Sequence, residues 1–452
     1  MHDSNTNAFE SLSVPKALSK FILPAVISQL ATLILNLTDA FFVGRTGDEF
    51  QIGAMTITLP LIMLMTVIAT VFGAGSNANI ASSLGARNPE RAKKFSTFAV
   101  YTSVIIVAVV SLFIYAFEDV LLGVLGATVD SLVHCRRYIC WTLHVACVPM
   151  VFSQVMAQMF TAEGETKIAS IGITGAGIIN IVLDPIFIFP LGFGIEGAGM
   201  ATCIANYCSA VFFLVCYLKK RKTTVISLNP KHYTVKNGIC KQVIAIGLPA
   251  GLSIFLMNCV DFVRNYLIGI YGAQSDFAAW GVVQKLGNAF LQIALGIAQG
   301  VRPLISYNYT AGLGKRTKSL IVGSAIVMGC YTGFCFIFTM LFPEPMVNMF
   351  LPIPELMSTA VGFLQIYIFC IFAIGFLELF SAIFQSFGAW KTAIAGAFVG
   401  KIFIMMPALL ILSRIWAVNG TIAAQPVGDT MAVVFYLIMF VRFVKKNKER
   451  FN

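Results

Sequence analysis

The sequence predicts an all-α integral membrane protein in which twelve transmembrane helices form two pseudo-symmetric six-helix lobes. Three observations carry this expectation. Hydrophobic residues make up 58% of the 452 positions and charged residues only 11%, far from the roughly half apolar, quarter charged balance of soluble domains. Apolar stretches of about twenty residues, the length that crosses a bilayer, run almost from end to end. Motifs of the first half also recur, in order, in the second.

Residues 1–20 are polar and lack the apolar core and cleavage site of a removable signal peptide, so they read as a cytoplasmic N-terminal segment. With breaks placed at charged or Gly/Pro-rich turns, the first lobe, 21–218, holds spans over 21–43, 52–84, 95–117, 133–161, 168–190 and 197–218. A basic cytoplasmic linker, 219–241, follows. The second lobe, 242–444, holds spans over 242–271, 277–310, 319–342, 356–388, 392–413 and 417–444, and 445–452 form a cytoplasmic tail.

The net charge of +11 lies in short loops between apolar runs rather than on one folded face, so it reports topology and not a nucleic-acid partner. Arg87, Arg91, Lys93, Lys94, Lys167, Lys315, Arg316, Lys318, Lys391 and the linker cations fall on the side of the termini. Arg45, Arg136, Arg137 and Arg414 fall on the other. Excess Lys and Arg stays inside, which puts both termini in the cytoplasm of a multi-pass protein of the cell membrane. The 11 cysteines form no CxxC pair and read as buried free thiols. Neither a GxxxxGK[ST] loop nor an HExxH helix occurs, so the chain carries no ATP-binding loop or zinc-hydrolase signature of its own and implies no ATPase subunit. His134 and His144 lack partner ligands for a metal.

Leu23-Pro24-Ala25 recurs as Leu248-Pro249-Ala250, and Gly44 and Gly47 are matched by Gly269 and Gly272. The run from Phe160 to Gly164, then Lys167, resembles that from Phe384 to Gly388, then Lys391. Pro185 falls near Pro407, and Gly197 and Ala201 fall near Gly420 and Ala424. Six spans per repeat is an even number, so the repeats share one orientation and relate by an axis along the membrane normal, with a cleft between them.

These features, with Asp39-Ala-Phe-Phe-Val-Gly44, Gly73-Ala-Gly-Ser-Asn77, Leu84-Gly-Ala-Arg-Asn88, Ala162-Glu-Gly164 and Gly197-Ala-Gly-Met-Ala-Thr202, resemble the multidrug and toxic compound extrusion (MATE) family, in its DinF-like and MepA-like branch. The resemblance covers nearly the whole chain. It implies a secondary multidrug efflux transporter, not an enzyme, that exports small organic and often cationic compounds in antiport with H+ or Na+ by alternating access. It implies no cofactor beyond the coupling cation and no partners beyond substrates and membrane lipids. The alternative is a lipid-linked glycan flippase of the same broad superfamily.

Asp39, Asn180, Asp184 and Thr202 form the candidate ion-coupling set. Asn180 and Asp184 are four apart and share a helix face, and all four lie in one outer-leaflet layer of three spans. Two carboxylates with amide and hydroxyl oxygens suit Na+ or a shared proton, and the resemblance places coupling groups at these positions. Alternatively, Asp39 faces water at a helix end and Asp184 serves the backbone freed by Pro185. A second tier of intramembrane charges, Asp261, Lys285, Glu378 and Lys401, reads as two ion pairs, Asp261 with Lys285 and Glu378 with Lys401, either structural or exchanging partners during transport. The NorM-like branch places a coupling acid in its seventh span, and Asp261 stands about one turn from it. Pro24 and Pro249 are hinge candidates, and Met63, Met65, Gln154, Gln158 and Met257 candidates to line the cleft.

Overall fold

The computed structural model describes residues 9–44, 49–349 and 354–451, apart from the side chains at 36, 39, 40, 44, 49, 50, 52, 129, 130, 274, 278 and 354. All regular structure among the described residues is helical. Hydrocarbon offers backbone N–H and C=O groups no water, and a helix satisfies them within its own segment.

Nine helices among the described residues are long and apolar enough to cross a bilayer. Two further spans are bent pairs, Ser131–Val145 with Cys147–Ala162 at 46° and Glu355–Ile368 with Ile371–Ser386 at 41°. One of the nine, Trp390–Lys446, has 57 residues. At a rise of 1.5 Å each it would extend roughly 85 Å, nearly three times the ~30 Å hydrocarbon core. It breaks at Trp416 and Ala417, the latter at φ 49° and ψ −128°, and so supplies two spans. The expected count of twelve results.

The first membrane helix, Val14–Gly44, starts seven residues before the expected span, because a helix continues into water beyond its apolar part; Lys16 and Lys20 on this extension are exposed. Two short helices, Glu118–Val124 and Pro343–Asn348, follow the third and ninth spans and extend the internal repeat into the loops. Wide turns of π type at Cys140–Val145 and Val399–Met405 interrupt the fourth and eleventh spans.

The chain folds as two compact units, one containing Ile27–Gly247 and the other Leu12–Val26 with Leu248–Asn452. In each, the opening of a membrane helix is borrowed, with the crossing point just after Leu23-Pro24-Ala25 in one case and just before Leu248-Pro249-Ala250 in the other. Within the first unit the start of the seventh helix, Ile239–Tyr271, lies against the second, Glu49–Gly85. A Cβ on Gly247 would fall 1.8 Å from the Val71 carbonyl oxygen, and one on Gly75 would fall 2.1 Å from that of Val243. Within the second unit the start of the first helix meets the eighth, Gln274–Thr310, at Gly296 and Gly300, whose Cβ positions lie 2.7 Å from Val26 Cα and 2.6 Å from the Phe21 carbonyl oxygen. Lipid tails are as apolar as leucine, so close backbone packing of this kind, rather than escape from water, drives helix association in a membrane.

The basic segment 219–241 belongs to the first unit and is strapped to it. The Ser227 carbonyl accepts from Ser96 and Thr97, the Leu228 carbonyl from Tyr101, and the Val225 N–H and Thr224 hydroxyl donate to buried Glu163 at 2.6 Å each. Lys220 closes on Glu165 at 2.5 Å. Burial pushes the Glu163 carboxyl above its ordinary range.

Candidate functional site

The fifth membrane helix, Thr166–Ile188, follows a turn in which Gly164 takes φ +90°, a conformation open to glycine at little cost. Asn180 and Asp184 lie one turn apart on it and both are fully buried. The sixth helix, Gly194–Lys220, approaches closely because Gly197 lies on the Phe187 backbone, where a Cβ would stand 2.8 Å from the carbonyl carbon. That approach brings Thr202 to the site. The Asn180 amide donates to Asp184 Oδ1 and to Thr202 Oγ1, each at 3.2 Å.

With both N–H donors of Asn180 engaged, its Oδ1 is buried without a hydrogen-bond partner among the described residues. A buried amide oxygen beside a buried carboxylate and a hydroxyl is a hard, all-oxygen donor set, which suits Na+ or a transferable proton better than a soft metal. No cluster of three or more His, Cys, Asp or Glu able to hold a metal occurs among the described residues. The structure thus brings three of the four expected residues together. The fourth, Asp39, lies in the first helix, but its side chain is outside the described residues.

The second-tier charges pair differently from expectation. Asp261 pairs with Arg264 at 2.5 Å, three residues along its own helix, rather than with Lys285, which is exposed. Lys401 pairs with Asp429 at 2.9 Å rather than with Glu378. Equal depth in the membrane says nothing of rotation about the helix axis, and Lys401 sits in the π turn Val399–Met405, which shifts the phase of its helix.

Two residues of this cluster, Gln425 and Asp429, were not anticipated. The signal that would have found them is the one that singled out Asn180 and Asp184, an amide followed four residues later by an acid within one span. Gln425 Nε2 donates to Asp429 Oδ2 at 2.5 Å, and Arg264 donates to Gln425 Oε1. Pro24 and Pro249 lie inside unbroken helices, each within three residues of the point where the chain passes between units. Met65 is buried in the hydrophobic core of the first unit, and the Gln158 side chain accepts from Asn77. The burial of Met65 does not match the cleft-lining expectation.

The MatE family model matches residues 24–186 and 249–411, two segments that open on Pro24 and Pro249. The multidrug export protein MepA of Staphylococcus haemolyticus is 26% identical over 452 residues, covering 99% of this chain and 97% of that protein. MepA of Staphylococcus aureus strain MSSA476 is 27% identical over 442 residues, covering 98% and 97%. A mutant of the Vibrio cholerae MATE transporter VcmN superposes with a TM-score of 0.91 at 20% identity, covering 99% of this chain and 100% of that one.

Proposed function

This chain belongs to the MatE family, and from that premise we propose a secondary active exporter of organic compounds, often cationic, that works in antiport with H+ or Na+ by alternating access. The observation that carries the reading is the hydrogen-bonded cluster of buried Asn180 and Asp184 with Thr202. Two relatives matched over nearly their whole length are named multidrug export proteins, which supports the substrate class. The excess of basic loops on one side supports cytoplasmic termini in the cell membrane.

A carboxylate deep in a helix bundle is costly unless compensated. Asp184 in its ionised form therefore draws a proton or Na+ from the outside, and Asn180 and Thr202 orient the oxygens that receive it. Cation binding shifts the population toward the conformer that releases substrate outward, with the helix segments around Pro24 and Pro249 absorbing the bend. Asp39 is the proposed fourth member of the set.

The energetics suffice. A potential of 100 mV is worth about 2.3 kcal/mol per inward charge, and a tenfold gradient costs about 1.4 kcal/mol. One coupled cation can therefore sustain more than tenfold export of a neutral compound. A monovalent cationic substrate cancels the charge movement and leaves the ion's concentration gradient as the drive.

The test is efflux of a fluorescent organic cation from proteoliposomes under imposed pH or Na+ gradients. Efflux that follows one gradient and stops when it is collapsed supports the reading and names the ion. Efflux indifferent to both gradients contradicts antiport, and no efflux across a broad dye panel favours the flippase alternative.

A further inference from the structure

Each unit buries an amide and an acid one turn apart on a helix, Asn180 with Asp184 on the fifth membrane helix and Gln425 with Asp429 after the break at Ala417. The two occupy non-equivalent helices. Asp184 accepts from the amide of Asn180, which also donates to Thr202. Beside Asp429, which is fully buried, the structure places the ammonium of Lys401 at 2.9 Å, and the amide oxygen of Gln425 accepts from the guanidinium of Arg264.

Arg264 is itself only 2% exposed, pairs with Asp261 at 2.5 Å and lies 5.0 Å from the Trp280 ring centroid. Two acids, Asp261 and Asp429, thus pair with two cations, Arg264 and Lys401. Each oxygen of the Gln425–Asp429 pair that an external cation would need is already held by a donor of the chain.

We infer that Lys401 is the resident cation of the second unit: its ammonium fills a latent monovalent-cation site made by Asp429 and Gln425, and this unit therefore takes up no coupling ion. The inference deepens the proposed antiport by assigning all ion uptake to the first unit. Lysine is suited to the part because its ammonium is a compact point charge, close in kind to the ion it replaces. The π turn at Val399–Met405 supplies the local geometry that aims it, as such turns do at functional sites.

The experiment measures Na+-dependent stabilisation of the full-length purified protein, as the melting-temperature difference between NaCl and choline chloride at equal ionic strength. In the Asp184→Asn background, which silences the first unit, the expected difference is nil. Adding Lys401→Met should create one of about 3 °C, and Asp429→Asn on top should abolish it. A folded Asp184→Asn/Lys401→Met protein without a Na+ response overturns the inference. If Lys401→Met does not fold, 22Na+ binding to the Asp184→Asn protein decides instead: none is expected, and binding lost with Asp429→Asn overturns the inference. Gradient-driven efflux, read separately, reports the antiport reading, so the two can fail independently.

Discussion

Asn180 stands one helical turn before Asp184 and donates its amide to that carboxylate at 3.2 Å, while the same amide nitrogen reaches Thr202 on the sixth helix. The amide is the joint between two helices. Asn180→Ala should therefore lower stability by about 1–3 kcal/mol, the cost of losing a buried amide that donates to both helices. Thr202→Val, which removes one acceptor and keeps the shape, should cost about 0.5–1.5 kcal/mol. Thermal unfolding of the detergent-purified variants checks the order; a Thr202→Val protein less stable than Asn180→Ala would refute it.

The glycines of the borrowed helix openings give a sharper contrast. Gly247→Ala puts a methyl group 1.8 Å from the Val71 carbonyl oxygen, where backbone must move, and overpacking of this kind costs about 1–3 kcal/mol or more. Gly281→Ala, on the eighth helix with nothing within 4 Å of the added carbon, should instead stabilise by about 0.5–1 kcal/mol through helix propensity. Melting temperatures moving in opposite directions are the expected result.

How much of this was legible in the sequence follows from what each signal measures. Hydropathy found the spans because a run of apolar residues has only one place to go. It missed the helices Glu118–Val124 and Pro343–Asn348, which are too short to carry a period, and it put the first helix seven residues late because that helix continues past its apolar part. For the ion pairs, depth in the membrane cannot distinguish Glu378 from Asp429 as the partner of Lys401. The i,i+3 spacing of Asp261 and Arg264 was readable from the helix geometry. The i,i+4 spacing that marks Asn180 and Asp184 as a bonded pair also relates Gln425 and Asp429.

At the cytoplasmic strap, Glu163 has its carboxyl held above the ordinary value of 4.5 by burial. A raised folded-state value means the folded protein binds the proton more tightly than the unfolded chain. Its contribution therefore favours the fold at low pH and declines as pH rises from 4.5 through the raised value. Glu163→Gln, a permanent mimic of the protonated form, should flatten the fall in melting temperature over that window. An unchanged pH slope in the variant would show that Glu163 is not the titrating group.

The claim that Asp184 carries the coupling ion is tested most directly by running the exchange backwards. Proteoliposomes are given an organic cation gradient and no ion gradient, and movement of H+ or 22Na+ is recorded for the wild-type protein and for Asp184→Asn. The account predicts ion movement opposite to substrate in the wild type and none in the folded variant. Ion movement that persists in Asp184→Asn, or substrate flux in the wild type with no counter-movement of either ion, would contradict it.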